Sequence, residues 1–305
     1  MEKTIKEKAV IDEGIVYKYR DCENEFHRRI LLKNEIYFAS PKSFNDPFDC
    51  QIDYNFSSLT GTEKQDYIND QIQFSKEESQ MRGYSFDEKE EREKLEKVFI
   101  DTNELLSRQD KYNEHNFNAL NDNLGIFSCC QSKKFKNGWQ NILLWSHYAN
   151  NHKGFCVGLD KSLFKGYLDS IKKRKKQKGI VYNNGESVNY DKYPDLKPVT
   201  PISKNREVIK NNLICEISYK SNVWEYENEL RFIKLQTKID AGGLSDEDRK
   251  ISLPPNVIVE VTLGVCIDDW HKNAIKRICK SKGIKLYQAV KKPFEFSIGR
   301  VSLDI

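Results

Sequence analysis

Strand-forming runs stand at the two ends of this 305-residue chain, separated by a long polar stretch that contains none. The first runs are Ile15-Val-Tyr-Lys-Tyr-Arg20, a short alternating strand, and Glu35-Ile-Tyr-Phe-Ala39, which follows a helical segment and a Lys33-Asn34 turn. From Ser57 to Asn123 the sequence is polar and helical. Ser85-x-x-Glu88 reads as a capping box there, and Leu95, Val98, Phe99, Thr102, Leu105 and Leu106 recur at helical spacing. Strands return at Ile126–Cys130, Phe155–Leu159, Gly179–Tyr182, Ile214–Tyr219 and Glu229–Leu235. The chain closes on a strand, Val257–Leu263, a helix capped by Asp268 or Asp269 and stopped at Gly283, and a strand at Ile284–Val290. Strands clustered at both ends predict an α+β fold with a mixed, split β-sheet core. The expected organisation is a single domain over residues 1–305 with a polar helical insertion at residues 57–123.

An apolar content of 38% is enough for a real core, which excludes disordered and fibrous classes. The 50 basic and 46 acidic residues leave a net charge of only +4, so charge alone selects no nucleic-acid partner. Met1-Glu-Lys-Thr-Ile-Lys-Glu-Lys8 lacks the apolar centre of a signal peptide and no window has the length of a membrane span, so a cytoplasmic protein is expected. The eight cysteines, at 22, 50, 129, 130, 156, 215, 266 and 279, include no Cys-x-x-Cys pair and read as small core residues. There is no glycine-rich phosphate loop.

Four places carry residues suited to chemistry. On the first strand Tyr17 and Tyr19 share one face and Lys18 and Arg20 the other, which makes either a charged pocket or a solvated basic edge. Phe44-Asn45-Asp46-Pro47-Phe48-Asp49 is a turn in which Asn45 or Asp46 can bond its own backbone. Its carboxylates stand beside apolar rings and call for a cation or a ligand hydroxyl. The third place, Trp145 to Asp160, brings two histidines, two aromatics and a lysine to the entrance of a buried strand, as a site wall would. His147 and His152 are five apart, not the i, i+4 spacing of helical metal ligands, so no metal site is expected. His147 and Tyr148 suit ring contact or acid–base work, and Lys153-Gly154 a close approach of backbone to an anion. In the fourth, an extended reading of Lys220 to Lys234 puts Glu225, Glu227, Glu229 and Arg231 on one face and Trp224, Tyr226, Leu230 and Phe232 on the other. That face is either a solvated acidic edge or a set of carboxylates available to a substrate hydroxyl or a developing cation.

Tyr17-Lys-Tyr-Arg20, Tyr37-Phe-Ala-Ser-Pro-Lys-Ser-Phe-Asn-Asp-Pro-Phe-Asp49, Leu144-Trp-Ser-His-Tyr-Ala-Asn-Asn-His-Lys-Gly-Phe-Cys156 and Lys220-Ser with Trp224-x-Tyr-Glu-x-Glu-x-Arg231 together resemble the bacterial domain-of-unknown-function family 2971. A more distant similarity is to ADP-ribosyltransferase-like domains, split α+β folds that hold NAD between two small sheets. That similarity implies an early-strand polar residue on the adenosine ribose, here Tyr19 or Arg20. It implies a ring contact from Tyr37, Tyr148 or His147, and a late-strand glutamate on the nicotinamide ribose, Glu227 or Glu229. The late motif here is Glu-x-Glu-x-Arg beside a tryptophan, and the Trp145–Asp160 tract has no clear counterpart in those domains.

The implied activity is transfer of ADP-ribose from NAD to a protein or nucleic-acid acceptor, or hydrolysis of NAD, as in bacterial toxins and phage-defence effectors. The catalytic set would be Glu229, Glu227 and His147. The binding set would be Tyr19, Arg20, Tyr37, Asn45, Asp46, Tyr148, His152, Lys153 and Arg231, with Arg20 or Arg231 on the pyrophosphate and no metal. Two other readings compete. The run Lys172-Lys-Arg-Lys-Lys-Gln-Lys178, with Lys133-Lys-Phe-Lys136, suits a nucleic-acid binding or cleaving defence protein, or is a solvated helix end. The chain would otherwise be a non-catalytic interaction module.

Overall fold

The computed structural model describes residues 14–51, 53–133, 136–174, 180–190, 213, 216–236 and 242–304, and of residues 172–174 and 180–184 the backbone alone. The Lys172 to Lys178 side chains therefore lie outside the described residues. The chain divides into two compact units, residues 1–43, 123–190 and 222–305 in the first and residues 44–122 and 191–221 in the second.

The first unit is built on an eight-stranded sheet. Its strands are β1 (Ile15–Arg20), β3 (Leu124–Gln131), β4 (Phe155–Asp160), β5 (Ile180–Ser187), β6 (Glu229–Gln236), β8 (Ile258–Leu263), β9 (Lys285–Lys291) and β10 (Ile298–Ser302). They lie in the order β10-β9-β8-β4-β1-β3-β6-β5, and β2 (Glu35–Tyr37) pairs with β7 (Lys250–Ser252) in a separate two-stranded sheet. The core is thus α+β, with a mixed sheet divided into a large and a small part. The first strand of the chain pairs with β3 and β4, antiparallel to both, which is why strands distant in sequence form one sheet. β8 and β9 run parallel, joined by the helix of the closing unit. A parallel pair needs such a crossover.

Alternation assigns the two faces. Val16, Phe127, Cys129, Phe155, Val157, Leu230 and Phe232 enter one apolar cluster, covered by α1 (Glu25–Leu32), α6 (Lys161–Arg174) and α7 (Asp269–Lys282) through Ile30, Leu31, Phe164, Leu168, Ile275 and Cys279. Phe164 packs on Phe232 at 4.4 Å between ring centroids and edge-on to Phe127 at 5.8 Å. Fully buried side chains of this kind stabilise by about 1.5–3 kcal/mol each. Tyr17, Tyr19, Cys130 and Cys156 point to the opposite face, where α5 (Ile142–Tyr148) supplies Leu144 and Trp145. Cys22, Cys50, Cys129, Cys130, Cys156 and Cys279 are buried free thiols and Cys266 is an exposed one. Burial pushes the Cys129 thiol up to about 12, so it is an uncharged core group.

The second unit holds α2 (Gly61–Arg82), α3 (Glu88–Val98) and most of α4 (Thr102–Asn123) around Phe56, Leu59, Tyr67, Ile68, Ile72, Leu95, Val98 and Leu105. The capping box falls on Thr60 and Glu63 at the start of α2, not on Ser85 and Glu88. Asp87 caps α3 instead, accepting from the backbone N–H groups of Lys89 and Glu90. The apolar repeat read across residues 95 to 106 is interrupted between α3 and α4, where Asp101 caps the second helix through Asn103 and Glu104. Within the run from 214 to 219 expected as a strand, Glu216–Ser218 is helical; residues 214 and 215 lie outside the described residues. Among the described residues no helix is long and apolar enough to cross a membrane.

The Phe44–Asp49 loop belongs to this unit. Asp46 is buried and accepts from the Phe48 backbone N–H at 2.9 Å, as an Asx turn requires. Asn45 is exposed. The cation that this acidic loop called for is Lys220, whose ammonium lies 3.3 Å from the Asp49 carboxylate with both groups buried.

Candidate functional site

The α5 face of the sheet in the first unit is built upward from Tyr19. Its hydroxyl donates to the Gly138 carbonyl at 2.6 Å and accepts from the Asn141 N–H at 3.3 Å, which fixes a 3₁₀ turn, Gly138–Gln140, against β1. Asn141 caps α5 by accepting from the Leu144 N–H, and its amide donates to the Tyr226 carbonyl. Trp145 is fully buried, donates to the Trp139 carbonyl at 2.8 Å and meets Tyr19 edge-on at 5.1 Å. These contacts orient the end of α5, where the Tyr148 hydroxyl donates to Glu227 at 2.7 Å. His147 is exposed beside it, its ring 6.3 Å from that of Tyr226.

Asn222–Glu227 is a 3₁₀ segment, which corrects the expectation of continuous extension into β6. Alternation holds only from Glu229. Glu229 and Arg231 share the face of Cys130 and Ser128, opposite Leu230 and Phe232. Glu225 consequently leaves the set, exposed and paired with Lys133 at 3.0 Å. Arg231 is wholly buried and bonds both oxygens of Glu229, Nε to Oε1 at 2.9 Å and an Nη to Oε2 at 3.0 Å. The acidic face read from sequence is therefore a buried ion pair beside a carboxylate held by a phenol. Arg231→Met is expected to destabilise the chain by about 3–5 kcal/mol, because it strands a buried carboxylate. Adding Glu229→Gln should restore part of the urea midpoint, whereas a single variant matching wild type would show that the pair holds no buried charge.

The remaining residues of the Trp145–Asp160 tract are spent on the chain path. Asn150, Asn151 and His152 follow one another at φ of 46°, 53° and 68°. The Lys153 and Gly154 N–H groups bond Asn150 and Ala149 carbonyls at 3.1 and 2.8 Å, so the expected backbone contact to an anion is taken by the turn itself. His152 stacks on Trp145, 13° from parallel, and burial followed by the nearby Lys291 lowers its pKa. The Lys153 side chain is exposed. Tyr37 stands on the two-stranded sheet, donating to Asp246 at 3.0 Å.

Lys18 and Arg20 point to the helical face, away from Glu229 and Arg231. Arg20 and Arg231, the two arginines suggested for the pyrophosphate, thus lie on opposite faces of the sheet. On the helical face His27 accepts from the Asp21 N–H at 3.2 Å, and burial, then Arg20 and Lys18, push its pKa down to about 4. Because that lies below the usual value near 6.5, the unfolded chain binds the extra proton between these limits. Stability is then lost as pH falls from about 6.5 towards 4. Thermal melts across that window should fall more steeply for wild type than for His27→Gln. Parallel pH slopes would contradict this.

Sequence reasoning missed a second carboxylate–guanidinium pair on the α5 face, in which half-buried Arg300 bonds both oxygens of buried Glu260, one Nη lying 3.2 Å from Oε2. The Arg300 guanidinium also lies 4.6 Å from the Trp139 ring and 3.9 Å from that of Tyr287. Glu260 is the one charged residue in the strand Ile258–Leu263, which is the signal that could have found it. As for metals, Glu23, Asp268 and His271 bring one ligand atom each within 4.8 Å of one another. Asp268 is already engaged as the cap of α7, accepting from the His271 N–H at 2.9 Å and meeting its Nδ1 at 2.5 Å.

Tyr148, Glu227, Glu229 and Arg231 thus come from one continuous segment of chain, the one that carries the tract and the Glu-x-Glu-x-Arg motif. Residues 144–232 match the family model described as Protein of unknown function (DUF2971). The match runs from α5 to β6 and includes each of those four residues. No curated protein and no solved structure matches the chain.

Proposed function

We propose that the α5 face around Tyr148, Glu227, Glu229 and Arg231 binds an NAD-like dinucleotide and transfers its ADP-ribosyl group to an acceptor or to water. The observation that carries this reading is the 2.7 Å hydrogen bond from Tyr148 to Glu227, next to a glutamate already neutralised by arginine. Breaking the bond from nicotinamide to ribose leaves positive charge on the ribose, and a carboxylate in a dry site stabilises that charge strongly. Glu229 gives both oxygens to Arg231 and is poorly placed to take a sugar hydroxyl. Glu227 accepts from the Tyr148 phenol at the end of α5 and is the candidate for the ribose contact, with the Glu229–Arg231 pair on the strand that follows it. Tyr226 and His147 offer rings for nicotinamide. The ribosyl centre is then taken by the acceptor, which loses a proton as neutral nicotinamide departs.

The test is incubation of the full chain with NAD alone and with protein or nucleic-acid acceptors, following nicotinamide by chromatography. Release of nicotinamide, with ADP-ribose appearing free or on the acceptor, is expected. Intact NAD under every condition, together with no thermal shift on adding NAD, would sink the reading.

A further inference from the structure

We propose that Lys18, Arg20 and His27 form an oxyanion-binding site for a phosphate or diphosphate group, on the helical face of the sheet and distinct from the Glu227 region. Lys18 and Arg20 are two apart on β1 and project to the same side, and His27 on α1 reaches back to the Asp21 N–H next to Arg20. All three residues are partly exposed. The Lys18 ammonium donates to the Ser128 carbonyl at 2.6 Å and stands 5.3 Å from the Phe127 ring, leaving other N–H groups for a ligand. The Arg20 Nε is buried without a hydrogen-bond partner. His27 accepts at Nδ1, which fixes the tautomer with its proton on Nε2, a third donor.

The electrostatics agree with the geometry. Burial, then Arg20, lowers the Lys18 pKa to about 8, while burial lowers that of Arg20 to about 10. His27 is pushed down by both, so the three groups lie within one another's field. Cys129 on the same face is an uncharged thiol, and Asp21 accepts from the Glu23 N–H and the Asn150 amide. Two cations partly removed from water, repelling each other and facing a neutral donor, constitute a site completed by an anion. A diphosphate offers the spread of oxygens that a lysine and an arginine on alternate strand positions would bridge. The site uses none of Tyr148, Glu227, Glu229 and Arg231, lies on the other face of the sheet, and stands whether or not the reading of the α5 face does.

Isothermal titration of the full chain with pyrophosphate and with inorganic phosphate, at fixed ionic strength set by chloride, tests it. Saturable binding with a rise in Tm is expected. Arg20→Gln and Lys18→Met should each weaken it by about ten- to a hundredfold, the loss of one hydrogen bond to a charged group. Lys133→Gln, which removes an exposed cation elsewhere, should leave it unchanged; having both Arg20→Gln and Lys18→Met keeps the test decisive if one fails to fold. Absence of binding, affinity retained in the β1 variants, or equal loss in Lys133→Gln would overturn the proposal.

Discussion

Glu227→Gln is expected to lower nicotinamide release by about a hundred- to a thousandfold, the usual effect of removing one preorganised electrostatic group, while the chain stays folded. Glutamine keeps the shape of the side chain and a carbonyl oxygen that can accept from Tyr148, so the local packing survives and only the charge is lost. Tyr148→Phe should have a smaller effect, about fivefold to tenfold, because it removes a single hydrogen bond. Glu229→Gln is the less informative variant. It leaves Arg231, which is wholly buried, without its bidentate partner, so any loss of turnover would arrive with a loss of stability. Kinetics with NAD and urea melts on the same preparations separate the two. Full turnover by Glu227→Gln would remove Glu227 from the chemistry.

Gly154→Ala should be among the most destabilising substitutions in the first unit. A β-carbon there would stand 2.1 Å from the Arg20 carbonyl oxygen and 3.0 Å from that of Ala149, both backbone atoms that cannot rotate away. The same residue donates its N–H to Ala149 and accepts at its carbonyl from Gly264, so its displacement would break the link between the α5 turn and the end of β8. A cost of about 3 kcal/mol or more is expected, a fall in Tm of roughly 6–12 °C. Gly264→Ala should behave alike, with its added carbon 2.1 Å from the His152 carbonyl oxygen. A Tm within a degree or two of wild type for both would mean that the tract can shift, and that its packing does not position Tyr148.

These two effects explain what was legible in the sequence. Periodicity located β1 to the residue and came within a few residues of β3, β4, β8 and β9, because alternating or continuous apolar runs bounded by turn residues reflect burial directly. The two-face assignment of Tyr17 and Tyr19 against Lys18 and Arg20 followed from the strand period alone. Alternation misled where the chain was not extended. Trp224-x-Tyr-Glu reads as a strand by composition but winds into a 3₁₀ segment, which removes Glu225 from the face of Glu229. Caps were misplaced at Ser85 because Asp87 stands closer to the first helical turn and bonds two N–H groups there. The Trp145–Asp160 tract read as a site wall because it is rich in rings and imidazoles. Much of that richness holds a turn with three successive left-handed residues, and only the end of α5 faces the carboxylates. Long-range partners such as Lys220 for Asp49, or Arg300 for Glu260, were beyond reach because no local period encodes which distant cation meets a buried acid.

The most direct measurement is a crystal structure of the full chain with an NAD analogue that resists cleavage at the ribose. A hydroxyl of the nicotinamide ribose is expected within about 2.6–3.2 Å of the Glu227 carboxylate, with the nicotinamide against Tyr226 or His147. An analogue bound only beside Lys18 and Arg20, or one that fails to bind at saturating concentration, would contradict it.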